Sequence, residues 1–340
     1  MKTASIGIDV SSKQLDVKAD FGRGVLTAQF ENTPKGRAML LRWLKKRKTP
    51  CKVVLEATGV YSFELAVDLH NAKRCLVMVI NPRAAHHFAK ATMARGKSDD
   101  IDAGVLLEYA RRMPFTPWSA PSTARLQFRA LLRRIHDLTR QATTEKNRLH
   151  AAQAAPSLSA LVQDDLEESV ASLERRREKL ECAAVEVAKS DGELWEKYEL
   201  LQSLPGFAER SSLAVLGELV GVFGDFTVRQ LVAYAGLDPI PDSSGKRGKH
   251  PDGSLRKKVS KRGNARLRGA LFLPALVAAN HHPAVKAYYQ RIQSRGASKM
   301  AALCAVMRKL LHAIVGMFKH QEAFDPTRCF GTPPKTEKAA

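Results

Sequence analysis

The sequence is poor in cysteine, and its cysteines are not spaced as metal-binding pairs. There are five, an odd number scattered over the chain without a C-x-x-C pair: Cys51, Cys75, Cys182, Cys304 and Cys329. This usage argues against a structural zinc site and is typical of a protein in a reducing cytoplasm.

Long apolar runs are also absent. No stretch approaches about 18 uninterrupted apolar residues, and the first residues lack the apolar core of a signal peptide. We therefore expect neither membrane insertion nor secretion. A hydrophobic content of 44% over 340 residues, with ordinary glycine and proline, is typical of a folded chain long enough for two domains.

Acidic residues are too few to balance the basic ones. The chain has 55 Lys and Arg against 34 Asp and Glu, a formal net charge of +21. This excess predicts a polyanionic partner, with nucleic acid the first candidate and an anionic membrane surface the second.

The N-terminal part alternates strand-like and helix-like runs, which predicts an α/β domain over residues 1–120. Strands are predicted at "ASIGIDV", "LDVKADF", "VLTAQFEN", "KVVLEAT" and "RCLVMVI". A helix is predicted after the N-cap candidate Thr33 and Pro34, and another at "YSFELAVDLHNAK". The order β-β-β-α-β-α-β-α indicates a mixed sheet flanked by helices.

From Pro121 onwards the pattern is helical. In the segment 121–195, apolar residues fall seven apart at Leu166, Leu173, Leu180, Val187 and Leu194. This heptad spacing predicts an antiparallel helical pair or a dimeric coiled coil, and a helix packed on its own domain is equally compatible with it.

A mostly helical domain is predicted over 196–325, followed by a poorly ordered tail over 326–340. "LQSLPGFAERSSLAVLGELV" predicts two helices around a Pro-Gly turn, resembling a DNA-binding helix-hairpin-helix with Ala208 in place of a second glycine. "FTVRQLVAYAGL", "ARLRGALFLPALVAANH" and "ASKMAALCAVMRKLLHAIVGMFKH" predict further helices, and 239–264 predicts a loop.

Four carboxylates stand where the predicted elements would bring them together. Asp9 ends the first strand and Glu56 the fourth, while Asp99 and Asp102 lie three apart at the start of a helix in "KSDDIDA". Such a set suits Mg²⁺ or Mn²⁺, and two ions about 4 Å apart would clamp the attacking and leaving oxygens of a phosphodiester. Taken singly, these acids are also compatible with a strand-end cap and with favourable charges at a helix N-terminus.

A basic segment surrounds Ser243-Ser244-Gly245. Ten basic residues and one acid lie between Gly245 and Arg268, which predicts contacts to a phosphate backbone. These candidate nucleic-acid-binding residues are Lys246, Arg247, Lys249, Arg256, Lys257, Lys258, Lys261, Arg262, Arg266 and Arg268. A serine here is a candidate nucleophile, although Ser-Ser-Gly is most often only a turn.

Together these motifs resemble the transposases of the insertion-sequence 110 (IS110) family, from about residue 4 to 325. The resemblance rests on "GIDVSSKQLDV", "LEATGVY", "INPRAAHHFA", "KSDDIDA", "LPGF", "LVAYAGLDP", "SSG", "SKRGNARLRGAL" and "MRKL". It implies a RuvC-like (RNase H-like) domain whose Asp-Glu-Asp-Asp set falls on Asp9, Glu56, Asp99 and Asp102. It also implies a nucleophilic serine at Ser244, with Ser243 as the alternative.

The resemblance further implies a recombinase that excises and inserts its element through a 5′-phosphoserine intermediate. The active site would join one subunit's carboxylates to another's serine, hence a dimer or tetramer. Partners would be donor and target DNA and a structured guide (bridge) RNA, with no membrane, in a bacterial cytoplasm at the nucleoid.

Two other functions stay open from the residues alone. A junction-resolving endonuclease would use the same acids with water as the nucleophile, and a non-catalytic nucleic-acid-binding protein would not use the acids at all. A sugar-kinase or actin-like ATPase, suggested by "GIDVSSKQLDV", would need a later Asp-Gly turn between strands. "SDGE" and "PDGS" lie instead in helical or loop contexts.

Overall fold

A computed structural model describes residues 3–57, 59–92, 99–154, 160–221, 227–241 and 257–331. The chain divides into two compact units, residues 1–120 and 121–340. The second unit holds both the segment expected to be a coiled coil and the region 196–325.

Unit 1 is built on a five-stranded mixed sheet. Its strands are β1 (Ala4–Val10), β2 (Gln14–Asp20), β3 (Val25–Glu31), β4 (Cys51–Glu56) and β5 (Cys75–Ile80), in the spatial order β3-β2-β1-β4-β5. The pairs β1–β2 and β2–β3 are antiparallel, whereas β1–β4 and β4–β5 are parallel. The predicted mixed sheet is confirmed, and two helices follow β5 where the predicted order has one.

Helices cover both faces of this sheet: α1 (Pro34–Lys45), α2 (Val60–Asn71), α3 (Pro82–Ala91) and α4 (Asp99–Arg112). The hydroxyl of Thr33 caps α1 by accepting from the backbone N–H of Gly36, as its sequence position predicts. Side chains of α1 and α2 share one core with Ile8 and Leu55, whereas Leu106 of α4 packs on the opposite face, against Val54.

Unit 2 is mostly helical. Its helices are α5 (Thr123–Gln153), α6 (Ala160–Lys189), α7 (Gly192–Gln202), α8 (Glu209–Leu219), α9 (Val228–Tyr234), α10 (Ala265–His281), α11 (Pro283–Ser294), α12 (Lys299–His320) and α13 (Pro326–Phe330). Two short strands, β6 (Pro239–Pro241) and β7 (Lys257–Val259), pair antiparallel. They correct the prediction that 239–264 is loop throughout.

The long helices α5 and α6 form an antiparallel pair. Lys146 binds Glu174 at 2.5 Å, and Leu173 and Leu180 of the heptad series pack against Leu138 on α5. The series does not run through one helix, however. The α6 helix ends at Lys189, and Leu194 belongs to α7, whose N-cap is Asp191. A dimeric coiled coil stays a prediction.

The helix pair around the Pro-Gly turn, α7 and α8, is confirmed. Gly206 has a φ of +82°, and a Cβ there would lie 2.3 Å from the carbonyl oxygen of Pro274, so the turn requires glycine. The start of the expected tail is structured, since α13 buries Phe330. Helix α11 was not predicted at all.

Among the described residues, one helix, α12, has the length and mean hydropathy (1.6) of a membrane span. Ten of its residues are buried, and eight of these belong to the main hydrophobic core of unit 2. Its neighbours are α7, α9, α10, α11 and α13. The hydropathy of α12 therefore matches its place at the centre of this helical unit.

Candidate active site

Two of the predicted carboxylates are neighbours in the sheet. Strands β1 and β4 are parallel, with Ile8 in register with Leu55, and Asp9 and Glu56 are the next residues on each strand. Both side chains are partly buried. Since adjacent strands lie about 4.8 Å apart, the two carboxylates project side by side at one end of the sheet.

Helix α4 lies directly over this face of the sheet. A Cβ on Gly7 would fall 2.2 Å from the backbone nitrogen of Leu107 and 2.4 Å from the carbonyl oxygen of Ala103, so glycine allows helix and strand to touch. This contact makes Gly7 a packing residue, placed two positions before Asp9 on the same face of β1.

The direction of α4 brings its first turn toward Asp9. At its far end, Arg111 binds Asp20 at 2.6 Å, and Asp20 pairs with Ser5 near the start of β1. The helix therefore runs antiparallel to β1, which places Asp102 and the backbone of Asp99 at the end of the sheet where Asp9 and Glu56 lie. The side chain of Asp99 lies outside the described part of the structure.

The electrostatics of Glu56 shows that Asp102 is close. Burial raises the pKa of the Glu56 carboxyl, and the negative charge of Asp102 raises it further. The strand register thus places Asp9 beside Glu56, and the charge of Asp102 on α4 acts on Glu56 from the helix.

These contacts fall short of a complete ligand set. Among the side chains that the structure describes, no three His, Cys, Asp or Glu residues are grouped closely enough to hold a metal ion. The oxygen donors of Asp9, Glu56 and Asp102 nevertheless suit a hard divalent cation, which would relieve the repulsion that raises the pKa of Glu56. By its position on α4, Asp99 is the fourth candidate.

Sequence reasoning missed three charged residues on the same face. Asp16 pairs directly with Asp9 across β1 and β2, and its carboxylate accepts a hydrogen bond from Nε2 of Gln29 at 2.8 Å. Lys18 and Asp20 follow at alternate positions. The signal was present, because in "QLDVKAD" these charges alternate with the buried Leu15, Val17 and Ala19.

The serine segment lies outside the described residues. This applies to Ser243 and Ser244, to Lys246, Arg247, Lys249 and Arg256, and to the side chain of Lys257. Its two ends are held together, since Ile240 of β6 pairs with Lys258 of β7.

The motif "SKRGNARLRGAL" has clear structural roles. A Cβ on Gly263 would lie 2.4 Å from the carbonyl oxygen of Tyr234, which requires glycine there. Asn264 caps α10 through its side-chain oxygen, and its Nδ2 donates to the buried Glu218 at 2.7 Å and to the Tyr234 hydroxyl at 3.0 Å.

The predicted nucleic-acid contacts in this motif differ in exposure. Lys258, Lys261, Arg262 and Arg266 are exposed. Arg268 is partly buried, and its Nη1 donates to the carbonyl oxygen of Ala235 at 2.9 Å. The structure thus gives Arg268 a role in joining α10 to the end of α9, while its contact to a nucleic acid stays a prediction.

Comparison with protein families gives two matches. A model for DEDD-type proteins of IS110, described as "Transposase", matches residues 6–153. A second model, described as "Transposase IS116/IS110/IS902 family", matches residues 198–290. The first match contains all four predicted carboxylates, and the second contains both candidate serines.

Curated relatives extend over nearly the whole chain. Proteins named "Pilin gene-inverting protein" from Moraxella lacunata and Moraxella bovis are 27% and 26% identical, each over 96% of this chain and 98% of the relative. A protein of insertion element IS110 from Streptomyces coelicolor is 34% identical over 35% of this chain and 28% of its own length. A solved chain, Thermus thermophilus RuvC in complex with a Holliday junction substrate, aligns at a TM-score of 0.26 and 14% identity. It covers 34% of this chain and 100% of that chain.

Proposed function

We propose that this chain, which belongs to the IS110 family of transposases, cuts and rejoins DNA by metal-dependent phosphoryl transfer with a serine nucleophile. The observation that carries this proposal is the register of Asp9 with Glu56 beneath the first turn of α4. Because the strands are parallel, both carboxylates lie at one end of the sheet.

The carboxylates would hold Mg²⁺ or Mn²⁺ through Asp9, Glu56, Asp102 and, by its helix position, Asp99. Bound there, the ion would stabilise charge on the attacking and leaving oxygens of a phosphodiester. The protein contributes a rigid base for the ligands, since Asp9 and Glu56 follow the fully buried Ile8 and Leu55.

The serine would supply the covalent step. The Oγ of Ser244 attacks the phosphorus and loses its proton to a base, the bond from phosphorus to the 3′ oxygen breaks, and the 3′ oxygen leaves as a hydroxyl by taking up a proton. The 5′ phosphate remains on the serine. Attack by the 3′ hydroxyl of another strand then reverses these bond changes, so rejoining needs no external energy source.

The names of the relatives support a recombinase. A protein that inverts a gene must break DNA at two places and rejoin the exchanged ends, and the Moraxella relatives match this chain over 96% of its length. We propose that this chain likewise exchanges strands, acting on nucleoid DNA in the cytoplasm.

The net charge of +21 motivates a further part of the proposal, a structured guide RNA bound together with donor and target DNA. The carboxylates of one subunit would act with the serine of another in a dimer or tetramer, as the resemblance implies. Sequencing the nucleic acids that co-purify with the protein tests the guide. A preparation that recombines fully without any defined RNA would contradict it.

The chemistry is tested by comparing three variants in one assay with matched donor and target DNA. We expect Asp9→Asn to lose both cleavage and strand transfer. Ser244→Ala should lose strand transfer and the covalent protein–DNA species, whereas Ser243→Ala should keep both. A Ser244→Ala protein that still cleaves junction DNA in Mg²⁺ would indicate a resolving endonuclease that uses water.

A further inference from the structure

The sheet face beneath α4 carries an unusual number of carboxylates. Cross-strand partners project from the same face of a sheet, so Asp16 accompanies Asp9, and Asp20 accompanies Ser5. Glu56 joins them from β4, and Asp102 approaches from α4 above. Without compensating positive charge, these groups would repel one another.

Two of the cations on this face interact with groups away from Asp9. Arg111 is held by Asp20 at 2.6 Å and by Glu108 at the far end of α4. Lys52 lies on β4 in register with Ser5, also far from Glu56, with its ammonium 5.5 Å from the centre of the Phe115 ring. Neither cation lies at the end of the sheet where Asp9 does.

Lys18 is placed differently. It pairs with Gly7 across β1 and β2, and a Cβ on Gly104 of α4 would lie 3.6 Å from both its Cδ and its Nζ. The partly buried side chain therefore runs between the sheet and the helix, in space that Gly104 leaves open. Asp9 is its diagonal neighbour across the strand pair, about 7–8 Å away between Cα atoms and within reach of a long side chain.

We propose that Lys18 is the internal counter-ion of this carboxylate face and competes there with the divalent cation. Both Asp9 and Lys18 take part in interactions in the structure. Binding of the ion would therefore replace contacts that these two side chains already make. Lys18 is a positioning residue in this account, and the competition with the ion rests on the metal site proposed above.

Loss of the Lys18 charge should strengthen ion binding. An ammonium about 7 Å from a divalent ion would repel it, so removing the ammonium should tighten ion binding by about sevenfold if the effective dielectric is that of bulk water, and by more where it is lower. The same removal should destabilise the metal-free protein, because the carboxylates lose a compensating charge. If Lys18 only filled space, its replacement would change neither the ion affinity nor the stability of the metal-free protein in a charge-dependent way.

The test is a titration of the full-length, nucleic-acid-free protein with Mn²⁺, following the paramagnetic resonance signal of the free ion. Lys18→Met, and Lys18→Gln should the first variant fail to fold, are expected to bind Mn²⁺ more tightly than the natural protein. Lys18→Arg keeps the charge and should bind normally. Lys52→Met is the matched control, a lysine of the same sheet face at the opposite end of β4.

A second readout separates this proposal from the metal site itself. The metal-free Lys18→Met protein should unfold at a lower temperature than Lys52→Met, and the difference should shrink in about 1 M salt, where charges are screened. If the natural protein binds no Mn²⁺, the proposed metal site and the competition both fail, and the salt-dependent difference alone decides whether Lys18 is the counter-ion. Folded Lys18→Met with unchanged Mn²⁺ affinity and no salt-dependent loss would overturn the proposal.

Discussion

Replacing Gly7 with alanine should separate α4 from the sheet and so disturb the candidate site without touching a carboxylate. The added Cβ would lie 2.2 Å from the backbone nitrogen of Leu107, more than 1 Å short of the 3.4 Å at which ordinary contact begins. The atoms of α4 that the added Cβ would meet belong to the helix backbone, so no side-chain rotation can relieve the overlap. Helix α4 must therefore move, and Asp102 moves with it.

The expected effects are large for one methyl group. Overpacking of this kind costs about 1–3 kcal/mol of unfolding free energy. A displacement of about 1 Å in a catalytic group lowers turnover by about 100-fold. Urea denaturation measures the first effect, and DNA cleavage under saturating Mg²⁺ measures the second on the same preparations.

Gly104→Ala is the matched control on the facing helix. A Cβ there meets only the flexible side chain of Lys18 at 3.6 Å, and alanine favours a helix interior over glycine by about 0.5–1 kcal/mol. This variant should be as stable as the natural protein or more so. If Gly7→Ala unfolds and cleaves like the natural protein, α4 does not rest on Gly7 and the geometry inferred for Asp102 is wrong.

Two further predictions concern charge and capping. Because burial and Asp102 raise the pKa of Glu56 above its ordinary 4.5, ion binding should weaken as the pH falls through that raised pKa, since the ligand must be ionised. The metal-free protein should gain stability over the same range, because the folded state binds this proton more tightly than the unfolded chain does. Urea titrations of Glu56→Gln, which should lack this gain, check the assignment. Asn264→Ala should cost about 2–4 kcal/mol in a urea titration, since it removes both a cap and a partner of the buried Glu218. Ser298→Ala, which removes only the cap of α12, should cost about 1 kcal/mol, and equal losses in the two variants would contradict a role for Glu218.

Much of unit 1 follows from its sequence because the signals are local. Buried residues alternate or run together in each strand, and Thr33 with Pro34 marks the start of α1. Asp9 and Glu56 could be paired in advance because parallel strands end at the same edge of a sheet. In unit 2, the helix predicted at "ARLRGALFLPALVAANH" has the same limits as α10.

What could not be predicted depends on contacts between distant parts of the chain. Nothing local in "IGIDV" shows that Gly7 is the point where α4 touches the sheet. The heptad series includes Leu194 without any sign of a helix boundary, but Asp191 begins a new helix by capping α7. The proximity of Asp16 and Lys18 to the candidate site follows only from the strand register, which places them opposite Asp9 and Gly7.

The central claim is that Asp9, Glu56, Asp99 and Asp102 form one divalent-ion site. A crystal structure of the protein with Mn²⁺, analysed by anomalous scattering, tests it most directly. We expect an anomalous peak bound by Asp9 and Glu56 oxygens at about 2.0–2.4 Å, with Asp102 and Asp99 as further ligands. Carboxylates of Asp9 and Glu56 that bind no ion at saturating Mn²⁺, with a peak elsewhere or none, would contradict it.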